Sequence, residues 1–189
     1  MNDNENKIII FPTDTVYGIG CKLDDKQSLN NIYLLKGRDK NKPIPLMLPD
    51  LVSINQIAKF SNRDYLIMRK FWPGELTIIL NTNDDFARKY NMNTIAIRIP
   101  NHETTLEILS EYGPMWVTSA NISGEGATND LKLVKTKFRD KVDFIYDEKN
   151  ITFSNVPSTI IDLSSQDEIK LVRKGNISLN DIMECLKWK

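Results

Sequence analysis

Five short stretches place hydroxyls, amides or cations where a strand or helix gives way to a loop. The first is Thr13-Asp14-Thr15, followed by Val16, Tyr17, Gly18 and Gly20. The second is Lys36-x-Arg38, with Lys40 and Lys42 close behind it. The third is Thr118-Ser119-Ala120-Asn121-Ile122-Ser123-Gly124, and the last two are Pro157-Ser158-Thr159 and Arg173-x-Gly175. Arg98 adds an isolated guanidinium in a run that alternates Ile95, Ile97 and Ile99 with Ala96 and Arg98. An arginine fork suits phosphate or carboxylate oxygens. Cations as crowded as Lys36, Arg38, Lys40 and Lys42 repel one another unless they are solvated or face an anion. Small hydroxyl and amide side chains after a strand can aim several donors and acceptors at a polyanion or a base edge. Plainer readings fit each stretch alone: a strand-to-turn junction, a solvated basic loop, an N-cap or Asx-turn cluster, a solvated charge at Arg98.

Some chemistry has no signature in the chain. There is no Walker A sequence, no GxGxxG fingerprint, and no Ser-His-Asp set with a nucleophile elbow. Cys21 and Cys185 lie near opposite ends without metal-binding spacing, which reads as two free thiols in a reducing compartment. His102 is the only histidine, so a Cys-His pair has no local motif and a His-rich metal centre is not supported. A metal that takes part would be Mg²⁺, bound mainly through substrate phosphates.

Strands and helices must interleave to present these stretches. The β-branched run Lys7–Ile10 predicts a buried strand that ends at Pro12, with a loop over 11–21. Leu29, Ile32, Tyr33 and Leu35 space a helix over 28–36. Pro43, Pro45 and Pro49 exclude a helix interior, leaving a loop and a short strand over 45–48. A helix is expected over 53–60, and Ser61 and Asp64 form a capping box for the next, which stops at Trp72 before Pro73-Gly74. Trp72-Pro73-Gly74 reads as an aromatic cap and helix stop. Strands follow at 76–80, 94–100, 115–118, 142–146, 158–163 and 169–172, with helices over 102–112 and 129–138. The last helix starts at Ser178, with Asp181 at its third position and Ile177 opposite Ile182 as a staple. The class is α/β, one twisted mixed sheet with helices packed against it.

Bulk properties narrow the function. The 189 residues suit one domain, 1–189. Lys plus Arg and Asp plus Glu both total 25, so no overall basic field drives non-specific nucleic-acid binding and any anion site is local. No apolar run approaches the roughly 20 residues of a membrane span, and the polar start lacks a signal-peptide core. A soluble, cytoplasmic protein with no membrane partner is expected.

PTDTVYGIG at 12–20, KGR at 36–38, WPG at 72–74, RIPNH at 98–102, TSANISG at 118–124, STIIDL at 158–163 and RKG at 173–175 occur in the order found in one family. The chain resembles the YrdC-like threonylcarbamoyl-AMP synthases, in the short single-domain form. That resemblance implies a concave, positively charged cavity on the sheet. It implies an enzyme that makes L-threonylcarbamoyladenylate and pyrophosphate from L-threonine, bicarbonate or CO2, and ATP with Mg²⁺. The product serves threonylcarbamoyladenosine modification of tRNA, with partner proteins at the transfer step. By similarity, Lys36 and Arg38 would hold ATP phosphates, and Thr118, Ser119 and Asn121 would complete the nucleotide site. Thr13, Thr15 and Ser158 would bracket threonine, with Arg98 on the threonine and Arg173 on the nucleotide as further anion contacts. Lys36, Arg38, Ser119 and Asn121 are thus the expected catalytic set. The alternative is a module that binds double-stranded RNA or tRNA without turnover. Asp39 and Glu75 depart from the family pattern, at positions where proline, and a small residue or proline, are common. Few residues precede the first strand where members often carry a leading helix.

Overall fold

The computed structural model describes residues 6–148, 151–165 and 167–187. Ten strands form one mixed sheet: β1 (Ile9–Phe11), β2 (Gly18–Lys22), β3 (Leu46–Met47), β4 (Ala58–Lys59), β5 (Leu76–Thr82), β6 (Thr94–Arg98), β7 (Met115–Ser119), β8 (Phe144–Ile145), β9 (Thr159–Asp162) and β10 (Lys170–Arg173). Their order is β10-β9-β5-β6-β3-β7-β2-β1-β8, with β4 paired to β5 beside this path. β1 with β8, β3 with β6, and β5 with β9 are parallel, while the other pairs are antiparallel. The described residues also form six α-helices: α1 (Lys26–Lys36), α2 (Asn62–Phe71), α3 (Asp84–Tyr90), α4 (Glu103–Tyr112), α5 (Leu131–Phe138) and α6 (Leu179–Cys185).

Alternation along the strands explains why the two faces differ. One face carries Ile10, Ile19, Leu46, Ile78, Ile97, Trp116 and Ile161, buried in one large core with Ile32 of α1, Ile67 and Met68 of α2, Phe86 of α3, Val134 and Phe138 of α5, and Ile182 of α6. The opposite face carries Ile9, Phe11, Met47, Met115 and Val117, in a smaller core with Ile108 and Leu109 of α4. Where α4 does not reach, that face lies open, and the polar strand ends gather there.

The sequence signals for the helices are realised at their caps. Ser61 and Ser178 each make a full capping box, with Asp64 and Asp181. Gly37 ends α1 in the left-handed region at φ 57°, and this turn aims Arg38 away from the helix axis. Asp39 builds its own turn, its carboxylate accepting from Asn41 N at 2.9 Å. Glu75 accepts from Asn176 Nδ2 at 2.8 Å, tying β5 to the segment after β10.

Two expectations need correction, and one element goes beyond them. The stretch 53–60 is not a helix: it is a 3-10 turn over Val52–Gln56 followed by β4. Its Ile54 and Ile57 are buried as a helical spacing would require, but pairing of Ala58 and Lys59 with Thr82 and Asn81 decides the backbone. Residues 18–22 are not loop but the strand β2, set between β1 and β7. Its glycines allow close approach, since a Cβ on Gly20 would lie 2.7 Å from Trp116 O. Helix α3, capped by Asn83, had no counterpart in the sequence reading.

Candidate functional site

The open face forms a cleft of about 730 Å³, within the usual range for small-molecule sites. Register supplies its floor: Ile160 of β9, Thr77 and Ile79 of β5, Ala96 and Arg98 of β6, Met47 of β3, Val117 of β7 and Gly18 of β2 all line it. Of the ten residues singled out from the sequence, Thr13, Thr15, Arg38, Arg98, Thr118, Ser119, Ser158 and Arg173 line this one cleft. Lys36 and Asn121 do not. Among the described residues four cations, Arg38, Lys42, Arg98 and Arg173, line it and no carboxylate does.

One wall consists of ordered hydroxyls. Thr13 Oγ1 donates to Val16 O at 2.7 Å and accepts from Thr15 N and Val16 N. The Thr15 hydroxyl lies 3.0 Å from that of Thr13 and accepts from Arg98 Nη1 at 3.1 Å. Thr13 has thus spent its proton on a carbonyl, and Thr15 keeps its own for Thr13 or for a ligand. Arg98 is almost fully buried and works in three directions: Nη1 to Thr15, Nη2 to the Asp14 carboxylate, and Nε to Gly74 O at 3.0 Å. The motif Trp72-Pro73-Gly74 accounts for the last contact. It has a cis Trp72–Pro73 peptide, the Trp72 indole donates to Leu76 O, and Gly74 N donates to Ile99 O at 2.8 Å. The helix stop read from sequence is therefore also the seat of Arg98.

Ser158 closes this wall. Its hydroxyl lies 2.7 Å from that of Thr77, and Arg173 donates to both its carbonyl, from Nε and Nη2, and its hydroxyl. Gly175 packs where no side chain fits: a Cβ there would stand 2.5 Å from Pro157 O and Thr159 N.

The other wall is cationic. The Arg38 guanidinium donates to Lys42 O at 2.9 Å and Pro43 O at 3.2 Å, which shapes the 39–43 loop around it. The Arg173 guanidinium is pulled below its ordinary ionisation, first by burial and then by the Arg98 and Arg38 charges. Guanidiniums that feel one another in a cleft lined by no carboxylate make a site complementary to a polyanion.

Lys36 differs from the expectation of a cavity-wall contact. It is 1% exposed, and its ammonium donates to Ser119 O and to Asn121 O, the latter at 2.6 Å. Burial, then the Arg38 charge, pull it down to about 8. In this structure Lys36 pins the 119–121 turn from behind rather than facing the cleft. Asn121 donates to Ile122 O and Glu125 O, while its Oδ1 is buried without a partner, an oxygen left over for a ligand. Among the described residues no group of three or more His, Cys, Asp or Glu could hold a metal.

The remaining candidates resolve simply. Cys21 is buried, its thiol pushed up to about 12 by burial and by Asp25, and His102 stands at the N-cap position of α4 without a side-chain cap bond, its Nε2 3.9 Å from Glu148. Neither lines the cleft, so the Cys-His pairing is not realised there. Both cysteines are free. Tyr17 lines the cleft and packs at a tilt against Phe153, and Asp14 orients Arg98. Thr77, absent from the sequence reading, sits inside the apolar run 76–80, where only the period-2 alternation could have pointed it to the polar face.

Comparisons with known proteins place this geometry. A family model covering Sua5, YciO and YrdC proteins, described as telomere recombination, matches residues 4–175. The chain is 33% identical over 187 residues to a threonylcarbamoyl-AMP synthase of Pyrococcus abyssi, covering 96% of this chain and 54% of that protein. It is 32% identical over 179 residues to a putative threonylcarbamoyl-AMP synthase of Methanocaldococcus jannaschii, covering 95% and 84%. Among solved structures it resembles P. abyssi Sua5 complexed with L-threonine, at a TM-score of 0.86 and 30% identity over 95% of this chain and 54% of that one. It also resembles Escherichia coli YciO, at 0.83 and 26%, over 94% and 87%. The chain thus spans about half the length of its P. abyssi relative and most of the M. jannaschii one.

Proposed function

Since the chain belongs to the family of Sua5, YciO and YrdC proteins, we propose that it is a threonylcarbamoyl-AMP synthase. It would form L-threonylcarbamoyladenylate, pyrophosphate and water from L-threonine, bicarbonate and ATP. The observation that carries this reading is the cleft itself, which gathers fixed hydroxyls and arginine and lysine cations around one space. A relative of 30% identity is known as a complex with L-threonine.

The chemistry asks for placement and charge neutralisation rather than a protein nucleophile. The threonine amine is carboxylated, a carbamate oxygen attacks the α-phosphorus of ATP, and the bond to the β-phosphate oxygen breaks to release pyrophosphate. Thr15 and Ser158, with Arg98 behind Thr15, would hold the amino acid. Arg38 and Arg173 would meet the phosphates, where a guanidinium fork matches oxygen geometry. Thr118, Ser119 and Asn121 would complete the nucleotide site, with Lys36 fixing their turn. Mg²⁺ would enter with ATP and offset phosphate charge, and the free Asn121 Oδ1 is an oxygen donor of the kind it accepts. The product would supply the threonylcarbamoyl group for tRNA, through further proteins, in the cytoplasm. No helix among the described residues is long and apolar enough to cross a membrane.

Purified protein is expected to release pyrophosphate from ATP only when threonine and bicarbonate are both present. Release that is indifferent to threonine would overturn the assignment. Tight RNA binding with no turnover would replace it by a binding module.

A further inference from the structure

The hydroxyl of Thr77 has no place in the roles above, yet it is buried, lines the cleft and lies 2.7 Å from the hydroxyl of Ser158. The sheet brings the two together. β5 and β9 are parallel with Leu76 opposite Thr159 and Thr77 opposite Ile160, so Thr77, Ser158 and Ile160 share the open face. The backbone of Ser158 is fixed from elsewhere: Arg173 holds its carbonyl, and Gly175 lies in close contact with its neighbours. Its hydroxyl has two partners, Arg173 Nη2 at 3.1 Å and Thr77 Oγ1.

Arg173 can only donate, so it occupies one lone pair of Ser158 Oγ. Two hydroxyl protons remain, on Ser158 and Thr77, and the bond between them uses one. If Thr77 donates, the proton of Ser158 is free for a ligand. If Ser158 donates, that of Thr77 is free. Either way the pair offers one directed O–H donor to an acceptor in the cleft, beside the Arg173 guanidinium. Without Thr77, the Ser158 hydroxyl keeps only Arg173 and can turn about its Cα–Cβ bond.

We propose that Thr77 donates to the Ser158 hydroxyl and so acts as a positioning residue that turns the Ser158 proton toward the amino-acid substrate. The proposal rests on the synthase reading and adds to it a residue that the chemistry itself does not require.

The test is steady-state kinetics of threonine-dependent pyrophosphate release, with thermal denaturation of each variant. Thr77→Val keeps shape and removes the hydroxyl. It should raise KM for threonine about tenfold, the worth of one hydrogen bond to a charged group, with KM for ATP within about twofold of wild type. Thr77→Ser should restore the wild-type KM. If the valine lowers the melting temperature enough to obscure the kinetics, Thr77→Ala is read in the same way. An unchanged threonine KM in both Thr77→Val and Thr77→Ala would overturn the proposal, as would a serine variant as impaired as the valine one. Equal rises in both KM values would mark a merely structural role and overturn it too. Wild-type protein without threonine-dependent release would instead sink the functional reading, and this proposal with it.

Discussion

The two walls of the cleft are built in opposite ways. On the hydroxyl wall Thr13, Thr15, Arg98 and Ser158 are buried; Thr13 is held by Thr15 and Val16 of its own loop, and the other three by partners from distant parts of the chain. On the cationic wall Arg38 is partly exposed, Lys42 is exposed, and Arg38 is shaped only by carbonyls of its own loop. A small amino acid is discriminated by groups that cannot move, because a misplaced hydroxyl loses its whole contribution. A triphosphate is held by charge, which tolerates movement and draws less on the fold.

The contrast makes graded predictions. Arg98→Ala should have the largest effect, because it removes a buried guanidinium and leaves the Asp14 carboxylate unpaired. A loss of about 3–5 kcal/mol is expected in chemical denaturation, together with loss of synthesis. Arg98→Lys should not rescue it, since one ammonium cannot serve Asp14, Thr15 and Gly74 in the directions of the fork. Wild-type stability in either variant would remove the hydroxyl wall from the fold. Arg38→Ala should do the reverse, raising KM for ATP about tenfold or more while the denaturation midpoint stays put.

Lys36 lies between these extremes and can be separated by pH. Its ammonium loses its proton near 8 in the folded chain and near 10.5 in the unfolded one. Between those values the unfolded chain binds the extra proton, so this group's contribution to stability rises with pH, is full above about 10.5, and is lost as pH falls through about 8. Lys36→Met removes this titration. Relative to Lys36→Met, wild type should therefore gain on the order of 1 kcal/mol between about pH 7.5 and about pH 9.5, measured by denaturation at each pH. A constant gap would mean that Lys36 is solvated. The smallest effect is expected far from the cleft: Ser61→Ala should cost about 1 kcal/mol of stability through its lost cap and leave KM for both substrates unchanged.

The sequence reading succeeded where local chemistry decides the structure. Ser61 with Asp64 and Ser178 with Asp181 marked helix starts that formed as capping boxes, and the order of the polar motifs identified eight residues of one cleft. It failed where long-range pairing decides. β2 has two glycines and reads as loop until β1 and β7 flank it, and β4 exists only through its pairing with β5. Lys36 was misplaced for a related reason. A lysine at a helix end ordinarily reaches solvent, and only the fold brings the Ser119 and Asn121 carbonyls to it across more than eighty residues. Thr77 was hidden by its apolar neighbours, although its face was set by simple alternation.

On the proposed function, the cleft joins three substrates into one adenylate. The direct measurement is mass spectrometry of the product formed from ATP, threonine and ¹³C-labelled bicarbonate. An adenylate that carries both threonine and the label is expected, and none when threonine is omitted. An adenylate of threonine without the label would show that the amino-acid carboxylate, and not a carbamate, attacks the α-phosphorus, and would contradict that function.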